Sequence, residues 1–225
     1  MENYKEQFIE FMVRSNVLTF GDFVTKSGRK TPYFINTGRY KTGGQIKKLG
    51  QFYAEAVCSS IGEEANVLFG PAYKGIPLVV ATAIALTEKT GRTVSFCFNR
   101  KEAKDHGEGG NLIGHTPAAN DRIVIIEDVT TAGTSIRETV PLLLGIAPVI
   151  LAGLVVSVDR MEKGAGTKSA LAELAQEFHF TTAAIVTLDE IVAHLFNRPV
   201  DGVVVLTEEI RQKIDAYRAT YGAER

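Results

Sequence analysis

Apolar residues along this chain follow two spacings in turn, and the exchange between them marks out most of its elements. Tyr4, Phe8, Phe11 and Met12 fall three or four apart, as do Ile46, Leu49, Tyr53, Ala56 and Val57, so each set lines one face of a helix. Short, nearly unbroken apolar runs at 66–69, 93–98, 123–126, 149–158 and 182–186 read as strands. Between them, 76–88, 136–144 and 168–178 return to helical spacing. Pro77 is tolerated near a helix start, whereas Pro141 predicts a kink in the second of these helices. Strands apolar on both faces, interleaved with helices, predict an α/β chain with a central, mainly parallel sheet flanked by helices. The first 60 residues and the segment 191–225 lack this rhythm, so we expect a core over about 61–190 and a small hood subdomain built from the two ends.

One segment imitates a membrane span. Residues 141–158, "PLLLGIAPVILAGLVVSV", carry no charge, close to the length a bilayer requires. Gly145 and Pro148 interrupt it and a β-branched run follows, so it reads as a helix end, a turn and a buried strand. The amino terminus is charged from its second residue and has no apolar export segment. The chain's 225 residues are 45% hydrophobic and 23% charged, with a net charge of −1. Such a balance gives no general attraction to nucleic acid or acidic membranes, and anion binding must come from local clusters. Two cysteines, Cys58 and Cys97, have no metal-ligand spacing and fit a reducing, cytoplasmic setting.

In parallel sheets ligands bind beyond the carboxyl ends of the strands, which directs attention to four loops: 70–75, 99–114, 128–135 and 159–167. The third follows "RIVIIEDVTTAGTS". Residues Thr130, Thr131, Ala132, Gly133, Thr134 and Ser135 offer successive backbone N–H groups and hydroxyls at a helix start, which suits a phosphate monoester. Ser135 with Glu138 also spells a capping box. The adjacent acids Glu127 and Asp128 point to opposite sides of a strand, and like charges about 4 Å apart repel by roughly 4 kcal/mol at an effective dielectric near 20. They require a partner: sugar hydroxyls, a cation, or a nearby Lys or Arg. Ribose 5-phosphate satisfies the acids and the cradle together. Nucleotide motifs fit worse, since "GAGTKS" places Thr167 between Gly and Lys and no G-x-G-x-x-G follows a strand.

The stretch 99–114, "NRKEAKDHGEGGNLIG", gathers Arg100, Lys101, Lys104 and His106 among acids and glycines. With no apolar periodicity, it reads as a long surface loop of the kind that closes over a site. Lys74 in "GPAYKGIP" and backbone N–H groups around it suit a second phosphate. Arg160, just past a strand, offers a fork for a carboxylate. Lys26, Arg29 and Lys30 precede Tyr33 and Phe34, an aromatic pair that serves either as a base-stacking platform or as an edge strand of core aromatics. His115, His179 and His194 stand alone and read as structural.

Together these segments resemble the type I phosphoribosyltransferases, and within them the orotate phosphoribosyltransferase family. "VIIEDVTTAGTS" is similar to the phosphoribosyl pyrophosphate signature; "KSGRKTPYFIN", "GPAYKGIPL", "RKEAKDHGEGG" and "VDRMEKG" resemble the orotate family in particular. The resemblance implies the type I phosphoribosyltransferase fold, transfer of a phosphoribosyl group to orotate in pyrimidine synthesis, a magnesium ion and a homodimer with shared active sites. It implies that Glu127 and Asp128 hold the ribose hydroxyls, that Thr130, Thr131, Ala132, Gly133, Thr134 and Ser135 hold the 5-phosphate, and that Val129 belongs to the same phosphoribosyl pyrophosphate site. Lys26, Tyr73, Lys74, Arg100, Lys101, Lys104 and His106 would hold the pyrophosphate. Phe34, Ile35, Thr131 and Arg160 would position orotate, and Lys104, Asp105 and His106, together with Asp128, would act in catalysis. No metal ligands are assigned. Two positions depart from the family pattern: Glu127 stands where Asp is common, and Ile35 where close relatives often carry a second aromatic. A neutral purine or uracil as acceptor would leave Arg160 without a carboxylate, and a non-catalytic regulator of this fold would usually carry an added DNA-binding module.

Overall fold

A computed structural model describes residues 1–25, 28–101 and 111–224. Helix α1 (Asn3–Arg14) leads into a hairpin of β1 (Leu18–Val24) and β2 (Lys30–Ile35). A single 3-10 turn at Thr37–Arg39 follows, and then α2 (Gly43–Ser60). Helix α2 is started by a capping box: Thr42 Oγ1 accepts from Gln45 N at 3.2 Å, and Gln45 Oε1 accepts from Thr42 N at 3.1 Å.

The alternation seen in the sequence becomes β3 (Val67–Phe69), α3 (Gly75–Thr90) and β4 (Ser95–Asn99), then β5 (Leu112–Gly114) and β6 (Arg122–Glu127). The chain continues with α4 (Thr134–Leu144), β7 (Ile150–Asp159), α5 (Ala170–Phe178) and β8 (Thr181–Thr187). Among the described residues six strands form one sheet in the order β5-β4-β3-β6-β7-β8, parallel except for β5. Strand β5 was not expected. Its three residues sit at the end of a polar stretch, and the antiparallel pairing with β4, from Cys97↔Gly114 to Asn99↔Leu112, defines them. Helix α4 runs through Pro141 to Leu144, so the proline costs the helix an interior hydrogen bond without ending it. Residues 141–158 divide into the end of α4, a turn and β7, and no described helix is long and apolar enough to cross a membrane.

Successive residues of a central strand belong to different cores, as the two-residue period requires. On β6, Val124 and Ile126 pack with α1, α2, α3 and α6 (Leu188–Leu195), whereas Ile123 and Ile125 pack with α4 and α5. Burying each such aliphatic side chain contributes about 1.5–3 kcal/mol, so both faces fix the register of β6. Helix α2 packs on α3, β7 and β8, so part of the first 60 residues covers the sheet. Strands β9 (Pro199–Val200) and β10 (Val203–Val204) lead to α7 (Glu208–Tyr221), which packs on β2. The hairpin and the carboxyl-terminal helix thus meet on one side of the strand ends.

Candidate active site

The order β4-β3-β6-β7 places the loops after four parallel strands side by side. After β6 come Glu127 and Asp128, both buried. The Tyr53 hydroxyl donates to the Glu127 carbonyl at 2.7 Å and the Ser157 hydroxyl to the Asp128 carbonyl at 2.6 Å, pinning the backbone that carries the acids. Their side chains then part. Glu127 Oε2 accepts from Ser135 Oγ at 2.9 Å and Oε1 from Asp128 N at 3.0 Å. Asp128 Oδ2 accepts from Lys74 Nζ and from Thr37 Oγ1, each at 2.8 Å.

These surroundings shift the two acids in opposite directions. Burial, with the neighbouring Asp128 charge, pushes the Glu127 carboxyl well above its ordinary range. Burial opposes ionisation of Asp128 too, but hydrogen bonds from Lys74, Val129 N and Thr37 and the Lys74 charge outweigh it and hold Asp128 low. The repulsion anticipated between the acids is relieved by one lysine and by the tendency of Glu127 to keep its proton.

The cradle follows directly. Gly133 has φ 72°, a left-handed conformation that a Cβ disfavours, and its N–H donates to Thr130 Oγ1 at 3.1 Å. It is the N-cap of α4, with no side-chain cap. Ser135 therefore does not form the expected capping box; its hydroxyl is committed to Glu127 across the loop. Thr131, Ala132 and Thr134 are exposed at the head of the helix, where unpaired N–H groups and the positive dipole end favour an anion.

Beside the cradle lies the 70–75 loop, where Tyr73 and Lys74 are exposed. A Cβ on Gly70 would come within 2.3 Å of the Gly75 carbonyl oxygen, so the loop closes backbone against backbone. Asn99 Oδ1 accepts from Ala72 N at 2.8 Å, joining this loop to the end of β4. Arg100 N donates to Asn111 O at 2.7 Å, and Lys101 is exposed. Lys26, Lys104, Asp105 and His106 lie outside the described residues.

On the other side of the cradle, Thr130 and Thr131 share a pocket with Arg29, Asp159, Arg160 and Glu162. Arg160 Nη2 donates to Glu162 Oε1 at 2.6 Å, and its guanidinium lies 5.4 Å from the Tyr33 ring. Arg160 Nε is buried with no hydrogen-bond partner among the described residues. Phe34 is on the opposite face of β2 from Tyr33, stacked on Phe23 with centroids 5.6 Å apart, and Ile35 is half-buried. The structure thus brings Thr131 and Arg160 together and sets Tyr33, rather than Phe34, against Arg160. Sequence reasoning missed Thr37, Tyr53 and Glu162. Only Glu162 left a local signal, as the acid two places after Arg160.

Residues 36–183 match the phosphoribosyl transferase domain model. An orotate phosphoribosyltransferase of Lachnoclostridium phytofermentans is 56% identical over the full length of both chains. The chain belongs to the orotate phosphoribosyltransferase family. A member from Klebsiella pneumoniae is 46% identical over 99% of this chain and 100% of its own. The crystal structure of the Francisella tularensis orotate phosphoribosyltransferase superposes with a TM-score of 0.83, at 35% identity, over 96% of this chain and 100% of that one. The orotate phosphoribosyltransferase fold is therefore the frame in which these loops meet, and the α/β expectation holds.

Proposed function

We propose that this chain transfers the phosphoribosyl group of 5-phosphoribosyl 1-pyrophosphate to orotate, giving orotidine 5′-monophosphate and pyrophosphate in pyrimidine synthesis. The observation that carries this reading is the pocket in which Thr131 of the anion cradle and the half-buried Arg160 meet. A phosphate on the cradle N–H groups places the attached ribose beside Glu127 and Asp128 and directs the sugar's C1 towards the neighbouring loops. Arg160 answers the carboxylate of orotate with a fork suited to it, and Phe34 and Ile35 are assigned to the same substrate.

The reaction breaks the bond from C1 to pyrophosphate and forms one from C1 to a ring nitrogen of orotate. Positive charge builds on the ribose while the departing group stays anionic, so fixed charges and dipoles supply most of the acceleration. Asp128, held ionised, accepts from the ribose hydroxyls and stabilises the cationic ring. Tyr73, Lys74, Arg100 and Lys101 face the leaving group, joined in our assignment by Lys26, Lys104 and His106. Lys104, Asp105 and His106 act by charge and position. Near-wild-type turnover in Lys104→Ala would refute that role.

Magnesium fits this site through Asp128, which is held ionised and offers the carboxylate oxygen the ion takes, with its remaining ligands left to substrate oxygens. When bound there it would neutralise charge on the pyrophosphate. We further assign a cytoplasmic setting and a homodimer with shared sites; an apolar groove between α2 and α3, in which Ile84 is 57% exposed, supports association with a second copy. The deciding experiment mixes protein, magnesium, phosphoribosyl pyrophosphate and orotate and follows orotate absorbance, with loss expected. Unchanged orotate with uracil or hypoxanthine consumed would overturn the assignment.

A further inference from the structure

Glu162 collects more polar contacts than any acid the reaction needs. Its Oε1 accepts from Arg160 Nη2 at 2.6 Å, from the Tyr33 hydroxyl at 2.7 Å and from the Tyr217 hydroxyl at 3.0 Å. Its Oε2 accepts from Arg29 Nη2 at 2.7 Å. The side chain is only 9% exposed, so these partners replace water rather than supplement it. They come from three separate parts of the chain: the β1–β2 hairpin region, the residues after β7, and α7.

The backbone is arranged to deliver this carboxylate. Met161 adopts φ 54°, an uncommon conformation for a non-glycine residue, and its N–H donates to Asp159 Oδ1 at 2.8 Å. That turn sets Arg160 and Glu162 side by side on the same pocket. Beyond it, Glu162 bridges Gly222, Lys163 N donates to Tyr221 O and Ala223 N donates to Met161 O, each of these two bonds 2.9 Å. Burial raises the Tyr33 hydroxyl above its ordinary range and pushes that of Tyr217 up to about 12, so both remain neutral donors near pH 7.

The charges then sum simply. In the pocket they line, Arg29, Arg160 and Lys163 set against Asp159 and Glu162 leave a single net positive charge, and Arg160 still has a buried Nε without a partner among the described residues. One incoming carboxylate balances the cluster. We propose that Glu162 is a positioning residue for orotate recognition: it locks the Arg160 guanidinium in place and trims the cluster to the one positive charge that a single substrate carboxylate matches. This inference rests on Arg160 being the carboxylate partner, as assigned above.

The test compares wild type with Glu162→Gln, Glu162→Ala and Arg160→Ala, measuring KM for each substrate, kcat and inhibition by uracil, which lacks the carboxylate. Removing one member of a buried charge pair raises KM for orotate about tenfold or more in Glu162→Ala, and by less in Glu162→Gln, which keeps an acceptor. KM for phosphoribosyl pyrophosphate and inhibition by uracil change less than about twofold. A purely structural role would raise both KM values together and overturns the proposal. So does an unchanged orotate KM in both Glu162 variants while Arg160→Ala loses orotate binding. Wild-type protein that consumes no orotate overturns the functional assignment and this inference with it.

Discussion

Ser135 Oγ lies 2.9 Å from Glu127 Oε2, joining the first turn of α4 to the end of β6. That hydroxyl is one of few groups that solvate a carboxyl buried to 8% exposure, and the carboxyl therefore retains its proton more readily than an ordinary glutamate. The sign follows. A group whose folded pKa is raised contributes fully at low pH, below its unfolded value, and that contribution fades as pH rises through the folded value. Glu127→Gln mimics the protonated form. It is expected to stabilise the unliganded protein at pH 8 by on the order of 2 kcal/mol and to have little effect at pH 4. Urea midpoints at the two pH values measure this, and an equal effect at both would refute it.

Asp128 carries the opposite shift. Its contribution is present above the ordinary aspartate range and lost as pH falls through the depressed folded value. Lys74 is 65% exposed on its side chain, so the pair's contribution to stability is screened and stays below about 1 kcal/mol. Asp128→Asn should leave thermal stability nearly intact at pH 7. Its kcat/KM for phosphoribosyl pyrophosphate should fall by about 10–100-fold, the loss of one or two charge-assisted hydrogen bonds. Steady-state kinetics separates the two effects.

At Gly133 the backbone leaves little choice of residue. An added Cβ would sit 3.0 Å from Leu174 Cδ2 and 3.1 Å from Arg137 Nη1, at φ 72°. Gly133→Ala is expected to cost about 1–2 kcal/mol from the left-handed conformation and to weaken binding of inorganic phosphate at the cradle. Calorimetric titration with phosphate checks the second effect independently of unfolding.

Arg160→Lys keeps the charge but loses the planar fork that meets both Glu162 and a carboxylate. We expect kcat/KM for orotate to fall by about 10²-fold or more, with binding of phosphoribosyl pyrophosphate unchanged. A lysine variant with normal orotate kinetics would remove Arg160 from the orotate site.

Ile84→Glu places a charge in the apolar groove between α2 and α3. If that groove is covered by a second copy, sedimentation should show monomer for the variant and dimer for wild type, and a dimeric variant would exclude the groove as the interface.

How much of this was legible from the residues differs by element. The strands of the sheet were, because Ile123, Val124, Ile125 and Ile126 must satisfy two cores at once and leave no room for a polar residue. The cradle was legible as well, since Thr130–Ser135 follows such a strand without bulk. Strand β5 was not, because three residues with a half-exposed pattern carry no period of their own. The partners of Glu127 and Asp128 were half legible. The charge argument demanded a cation or hydroxyls, but Thr37 is 91 positions from Asp128 and Lys74 is 54 positions away, and only the fold selects them. Ser135 misled because a serine three places before a glutamate satisfies the capping pattern locally, while the buried carboxyl of Glu127 competes for the same hydroxyl and wins. Glu162 was hidden for a related reason: three of its four partners, Arg29, Tyr33 and Tyr217, are remote in sequence.

The contact between Gly70 and Gly75 has a consequence for how this loop can change. The shape of the turn is set by main chain touching main chain, where a methyl on Gly75 would meet Gly70 carbon at 2.7 Å. Tyr73 and Lys74 are exposed on it, and the Lys74 side chain reaches away to Asp128 rather than into the glycine contact. Form and reactivity are therefore encoded in different letters. Substitutions at Tyr73 and Lys74 can retune the loop's affinity for anions while the path of the chain stays where the two glycines hold it.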